Sequence, residues 1–179
     1  MTAAVLVIDV QQALCAGRWA CFETARMIDR INSVTGRARA AGVAVVLVQH
    51  EEDDGEMRRG TPGWQLAEGL ETAPTDLRVF KRASDSFHET DLLQRLQERG
   101  VTELVVCGLQ SDFCVDSTTR RALAQGYPVV LVSDGHSTMD NEVLTAAQIS
   151  AHHTVTLANL SSFGRRVRPL PAIDVRFDG

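Results

Sequence analysis

Four short runs of apolar, largely β-branched residues constrain this chain more than any other feature. They are AAVLVI (Ala3–Ile8), VAVVLV (Val43–Val48), LVVC (Leu104–Cys107) and VVLV (Val129–Val132). None alternates apolar with polar residues, so none suits a strand with one wet face. A strand in a parallel sheet is covered by helices on both sides and reads as such an unbroken run. Leu77–Phe80 and Thr154–Leu157 are shorter candidates of the same kind.

Helical periodicity fills the spaces between the runs. Thr24–Ala41 carries Ala25, Ile28, Ile31, Val34 and Ala38 at spacings of three and four, followed by Gly42. Glu89–Arg99, Val115–Gln125 and Asn141–His152 have similar patterns, and the first two of these also stop at a glycine. Strand and helix therefore alternate, which predicts a three-layer α/β/α architecture around a mostly parallel sheet. No linker, repeat or low-complexity stretch divides residues 1–179, so one domain is expected. Gln49–Asp76 is the longest irregular stretch, and a loop of that length is often functional. The tail after Arg166, with Pro169 and Pro171, is expected to be extended.

Composition excludes several classes. Of 179 residues, 44% are hydrophobic and 23% charged, with a net charge of −5. There is no basic run for a nucleic acid and no apolar stretch of the roughly 18 residues that span a bilayer. The N-terminus runs straight into a strand without a leader pattern, so a cytoplasmic protein is expected. Four cysteines (Cys15, Cys21, Cys107 and Cys114) without a Cys-x-x-Cys pair point away from disulfide, zinc and thioredoxin-type chemistry. Neither G-x-G-x-x-G nor a P-loop follows a strand, which disfavours a nucleotide-binding domain.

Ligands of open α/β sheets bind beyond the carboxyl ends of the strands. Asp9 follows the first run, Gln49 and His50 the second, and Lys81 the third. GLQSDFC (Gly108–Cys114) follows the fourth, and Ser133, Asp134 and His136 the fifth. Cys114 opens a helix, where the dipole and free N–H groups favour a thiolate, and an ammonium such as Lys81 lowers its pKa further. Asp9 can act as the proton acceptor, and backbone N–H groups at the helix start can hold an oxyanion. Together these parts describe acyl transfer through a thioester. Each also has a structural reading: a turn-capping Asp, a solvated Lys, a buried small thiol.

The segments VLVIDVQQAL (Val5–Leu14), VFKRASDSF (Val79–Phe87), GLQSDFCVDSTTRRALAQGY (Gly108–Tyr127) and VVLVSDGHST (Val129–Thr138) resemble the isochorismatase-like cysteine hydrolases. That family includes nicotinamidases, N-carbamoylsarcosine amidases and streptothricin-hydrolase-like proteins. The resemblance runs over roughly residues 3–157. It implies a six-stranded sheet in the order 3-2-1-4-5-6, with Asp9, Lys81 and Cys114 as catalytic triad. It also implies a cis peptide between Leu109 and Gln110, with the N–H groups of Gln110 and Cys114 forming the oxyanion hole. The implied activity is hydrolysis of a small-molecule C–N bond (amide, lactam, ureide or carbamoyl). The implied assembly is a homodimer or higher homo-oligomer.

Departures narrow the resemblance. Nicotinamidases carry Asp-x-His and a further His as a metal site after the second strand. This chain has Gln49-His50-Glu51-Glu52-Asp53-Asp54 there, so no metal and no cofactor is expected. Isochorismatases proper cleave a vinyl ether and lack the cysteine, so Cys114 argues against that activity. A redox-sensitive thiol protein or a binding subunit on the same fold stays open. Gln11, Trp19, His50, Trp64 and Phe87 are candidates to line the substrate pocket, against a packing role for each, and Gln11, two residues after Asp9, is also a candidate to orient the Asp9 loop. His136 reads as a satisfied loop histidine, Cys107 as an inert strand residue, and Cys15 and Cys21 as structural residues in the loop after Asp9.

Overall fold

The computed structural model describes residues 2–177. Six parallel strands form one sheet: β1 (Ala3–Ile8), β2 (Ala44–His50), β3 (Leu77–Lys81), β4 (Glu103–Leu109), β5 (Val129–Ser137) and β6 (Val167–Leu170). Their order is β3-β2-β1-β4-β5-β6, as the resemblance implies. The helices are α1 (Gln12–Cys15), α2 (Thr24–Ala40), α3 (Leu92–Glu98), α4 (Asp116–Ala124) and α5 (Ala146–Ala158).

The unbroken apolar runs follow from cover on both faces. Val5 and Val7 of β1 pack with Val45, Leu47 and Val105 under α2, through Ile28, Ile31, Val34 and Ala38. The intervening Leu6 and Ile8 face the other way. There they join Val46, Val48 and Val106 under Leu92 and Leu96 of α3, Leu123 of α4 and Leu157 of α5. Both residue sets are almost wholly buried, so neither face tolerates a polar alternate.

Three elements differ from the sequence reading. Thr154–Leu157 is not a strand but the last part of α5. A capping box starts that helix, in which Thr145 accepts from the Gln148 N–H and Gln148 accepts from the Thr145 N–H, so the helix begins at Ala146 rather than Asn141. The sixth strand is Val167–Leu170, inside the expected extended tail, paired only with β5. Pro169 is tolerated there because an edge strand leaves one side of its ladder unpaired. The helix expected over Glu89–Arg99 starts later, at Leu92, because Glu89 has φ of +52°.

The loop between β2 and β3 is fastened along its length. The Trp64 carbonyl accepts from the Gln11 and Gln49 side-chain amides at 2.8 and 2.9 Å. Asn32 of α2 donates to the Gly69 carbonyl, and Arg39 holds Asp76 with two hydrogen bonds. No helix among the described residues is long and apolar enough to cross a membrane.

Candidate active site

The sheet order places the carboxyl ends of β3, β2, β1 and β4 side by side, and each supplies one group. β1 ends in Asp9, whose φ of +51° turns the chain out of the strand. Its N–H still donates to the Val48 carbonyl, so the residue is pinned to β2. β4 reaches β1 closely because Gly108 lies between them: a Cβ at Gly108 would sit 2.1 Å from the Ile8 carbonyl oxygen. The peptide from Leu109 to Gln110 is cis. A single π-helical turn, Ser111–Val115, then carries Cys114 into α4, with the Val115 N–H donating to the Gln110 carbonyl. Such turns recur at functional positions.

Lys81 comes from the sheet edge. Strands lie about 4.8 Å apart, so β3 and β1 are separated by roughly 10 Å and a lysine stem is needed to bridge them. His50 of β2 lies in register with Lys81, and the ammonium passes over it. Lys81 Nζ stands 2.7 Å from Asp9 Oδ2, 3.2 Å from Cys114 Sγ and 3.3 Å from His50 Nδ1. These three partners match the three N–H donors of an ammonium. The Lys81 side chain has no solvent exposure and that of Asp9 has 2%, so the charges compensate each other out of water.

Protonation states follow from this burial. Burial alone pulls the Lys81 pKa down, but the Asp9 and Cys114 charges and hydrogen bonds outweigh it, and the net shift is upward. Lys81 is therefore a persistent cation. Burial, reinforced by the Asp9 charge, pushes the Cys114 thiol up to about 12, with Lys81 pulling the other way. Burial and the Asp9 charge thus oppose the pull toward a thiolate expected from the helix start and from Lys81. Asp9 Oδ1, the oxygen not held by Lys81, is buried without a hydrogen-bond partner. The cluster thus brings together a thiol, a buried cation and a carboxylate oxygen without a hydrogen-bond partner.

His50 belongs to this cluster, half-buried, with its pKa lowered by burial and then by the Lys81 charge. A neutral ring that accepts from Lys81 at Nδ1 carries its proton on Nε2, which faces Glu52 at 4.0 Å. Gln11 does not line an open pocket. It is fully buried, its amide donates to the His50 and Trp64 carbonyls, and its oxygen accepts from the His50 N–H. It fixes the turn after Asp9 to the end of β2. Trp64 stacks on Phe80 at 5.7 Å, and Arg59 lies over both rings. Phe87 is a core residue of the same apolar cluster on which Cys114 packs, not a pocket wall. Trp19 is 44% exposed under the Arg18 guanidinium, and no hydrogen bond joins it to the cluster.

A cavity of about 310 Å³ opens beside Lys81, bordered by Glu51, Phe80, Arg82, His88 and Glu89. A larger one, about 720 Å³, lies at the amino ends of β1 and β2, around Thr2, Gly42 and Val101, away from this chemistry. Among the described residues, no group of three or more His, Cys, Asp or Glu is placed to hold a metal ion. Cys15, Cys21 and Cys107 are free thiols that burial pushes up to about 12. Gln49 was noted after the second run but not among the pocket candidates, yet it is buried and bridges Trp64 to Arg78. Its position directly after the apolar run Val43–Val48 was the available signal.

Comparison with known proteins gives the family. The isochorismatase domain model matches residues 3–161. A streptothricin hydrolase of Streptomyces noursei is 44% identical over 138 residues, which is 76% of this chain and 50% of that protein. The chain therefore spans about half the length of that relative. A ureidoacrylate amidohydrolase of Caulobacter vibrioides is 28% identical over 170 residues, covering 74% of this chain and 76% of that one. A crystal structure of an isochorismatase family protein superposes with a TM-score of 0.86 at 35% identity, over 94% of this chain and 97% of that one. The chain belongs to the isochorismatase-like hydrolase family.

Proposed function

We propose that this protein is a cysteine hydrolase that opens the C–N bond of a small amide-type molecule, with Cys114 as nucleophile, Asp9 as general base and acid, and Lys81 as the fixed cation. The observation that carries this reading is the position of Lys81 Nζ, 2.7 Å from Asp9 Oδ2 and 3.2 Å from Cys114 Sγ in one buried cluster. The names of two relatives, a streptothricin hydrolase and a ureidoacrylate amidohydrolase, support an amide-type substrate.

In this reading Asp9 takes the Cys114 proton as Sγ attacks the substrate carbonyl carbon. Lys81 stabilises the developing thiolate, which the resting site disfavours. The carbonyl oxygen becomes an oxyanion held by the N–H groups of Gln110 and Cys114. Collapse breaks the C–N bond, and the proton on Asp9 goes to the departing nitrogen. Water then gives a proton to Asp9 and attacks the thioester, and that proton returns to Sγ as the acid leaves.

The test is a panel of small amides, lactams and ureides, scored by release of ammonia or amine. Cys114→Ala should abolish turnover with an unchanged circular dichroism spectrum. Undiminished turnover in that variant overturns the proposal.

A further inference from the structure

Behind the Gln110–Cys114 turn lies a polar chain, buried at Ser111 and His136 and half-buried at Ser150 and Thr154, whose protons have one consistent arrangement for a neutral His136. Thr154 Oγ1 is 2.8 Å from the Ser150 carbonyl, which can only accept, so the threonine proton is committed there. His136 Nε2 is 3.0 Å from the same Thr154 oxygen and must therefore donate to it. A neutral imidazole has one N–H, so His136 Nδ1 is bare and accepts from Ser111 Oγ at 2.7 Å. With the Ser111 proton committed, Ser150 Oγ, 2.9 Å away, donates to Ser111. The direction runs from Ser150 to Ser111, to His136, to Thr154, and back to the Ser150 carbonyl.

The chain joins three elements. Ser111 follows Gln110 directly and opens the π-helical turn that holds Cys114. His136 is near the end of β5, and Ser150 and Thr154 are one turn apart on α5. The next residue of the turn is tied as well: Thr138 donates to Asp112 Oδ1 at 2.6 Å. Burial, with a smaller contribution from His153, lowers the His136 pKa to about 4 against the opposing pull of Asp134, which keeps the ring neutral.

We infer that His136, acting through Ser111, is a positioning residue that holds the Gln110 and Cys114 N–H groups on the oxyanion. It touches no reacting atom. The inference rests on the hydrolase reading for its catalytic meaning, while the hydrogen-bond chain itself does not depend on it. An oxyanion exists only in the transition state and the intermediates flanking it. Loosening its donors should therefore lower kcat and leave KM nearly unchanged.

The experiment compares wild type, Ser111→Ala, Ser111→Thr, His136→Ala and the Ser111→Ala/His136→Ala double variant, with kcat expressed per reactive Cys114. Each alanine variant should lose about 10- to 100-fold in kcat, and Ser111→Thr should recover most of it. The double variant should fall no further than the worse single one, because both break the same chain. Iodoacetamide alkylation of Cys114, which uses no oxyanion donor, should change less than threefold. A loss of active protein with normal kcat per active site, or fully additive single losses, overturns the inference.

Nitrogen-15 NMR of the wild type supplies a readout apart from turnover. The account requires His136 to be the Nε2–H tautomer at neutral pH, with Nδ1 shifting in Ser111→Ala. An Nδ1–H tautomer or a charged ring overturns the hydrogen-bond chain. The expected tautomer in a protein that hydrolyses no amide would instead remove the hydrolase reading and leave the chain as structure.

Discussion

Lys81 Nζ meets Cys114 Sγ at 3.2 Å although β3 and β4 are separated by two other strands. The contact needs a long side chain from the sheet edge, a short reach over His50, and a turn that brings the thiol back over the end of β1. The proposed mechanism depends on this convergence, so its parts can be perturbed one at a time.

Asp9→Asn separates thiol ionisation from catalysis. The Asp9 charge raises the Cys114 pKa and Lys81 lowers it, so removing the charge favours the thiolate. Iodoacetamide should alkylate Cys114 faster in this variant near pH 8. Amide turnover should fall about 10²- to 10⁴-fold, because the base is gone. Slower alkylation would mean that Asp9 does not oppose ionisation.

Lys81→Met should be costly for stability. It leaves the buried Asp9 carboxylate without a hydrogen bond on either oxygen. Breaking a buried pair from one side costs about 3–5 kcal/mol, or roughly 10 °C in Tm for a chain of this size. Adding Asp9→Asn to this variant should recover part of the loss. A melting curve unchanged from wild type would show that the two charges are not buried together.

Gly108→Ala tests the spacing between β1 and β4. The new methyl would meet the Ile8 carbonyl oxygen at 2.1 Å, with φ at +115° where side chains are disfavoured. The strand ends must part, moving Asp9 relative to Cys114. Stability should fall by about 2 kcal/mol or more, within the range of backbone strain and overpacking. Turnover per folded molecule should fall as well. Denaturant melts and active-site-normalised rates check both.

Acid sensitivity should include a contribution from His136. Its pKa is about 4 in the folded protein against an ordinary value of 6.5. Between these values the unfolded chain binds a proton that the native ring does not. The stability contribution is therefore complete above about pH 6.5 and is lost as pH falls toward 4, by up to roughly 3 kcal/mol. The His50 shift has the same direction. Urea midpoints at pH 7.5 and 4.5 should differ less in His136→Gln than in wild type. An equal difference would show that His136 titrates normally.

The sheet was legible in the sequence because burial on both faces leaves unbroken β-branched runs at β1, β2, β4 and β5. β6 was not, since an edge strand with Pro169 has no such signature. TVTL at 154–157 looked like a strand because its residues favour strands, but the helix nucleated at Thr145 continues through them. Asp9, Lys81 and Cys114 were visible as chemistry following strands, and the implied cis peptide is present. The upward pull on the Cys114 pKa was not visible, because it depends on burial and on the Asp9 charge rather than on helix position. An orienting role for Gln11 could be read from its place after Asp9, but its partners could not, being backbone groups of His50 and Trp64 that any sequence supplies.

The central claim is that a covalent thioester forms on Cys114. Rapid quenching of the protein with a slowly hydrolysed amide, followed by intact mass measurement and peptide mapping, tests it most directly. The account predicts an acyl adduct on the peptide containing Cys114, formed in a burst with amine release and absent from Cys114→Ala. Steady hydrolysis with no adduct at any time, retained in Cys114→Ala, would contradict it.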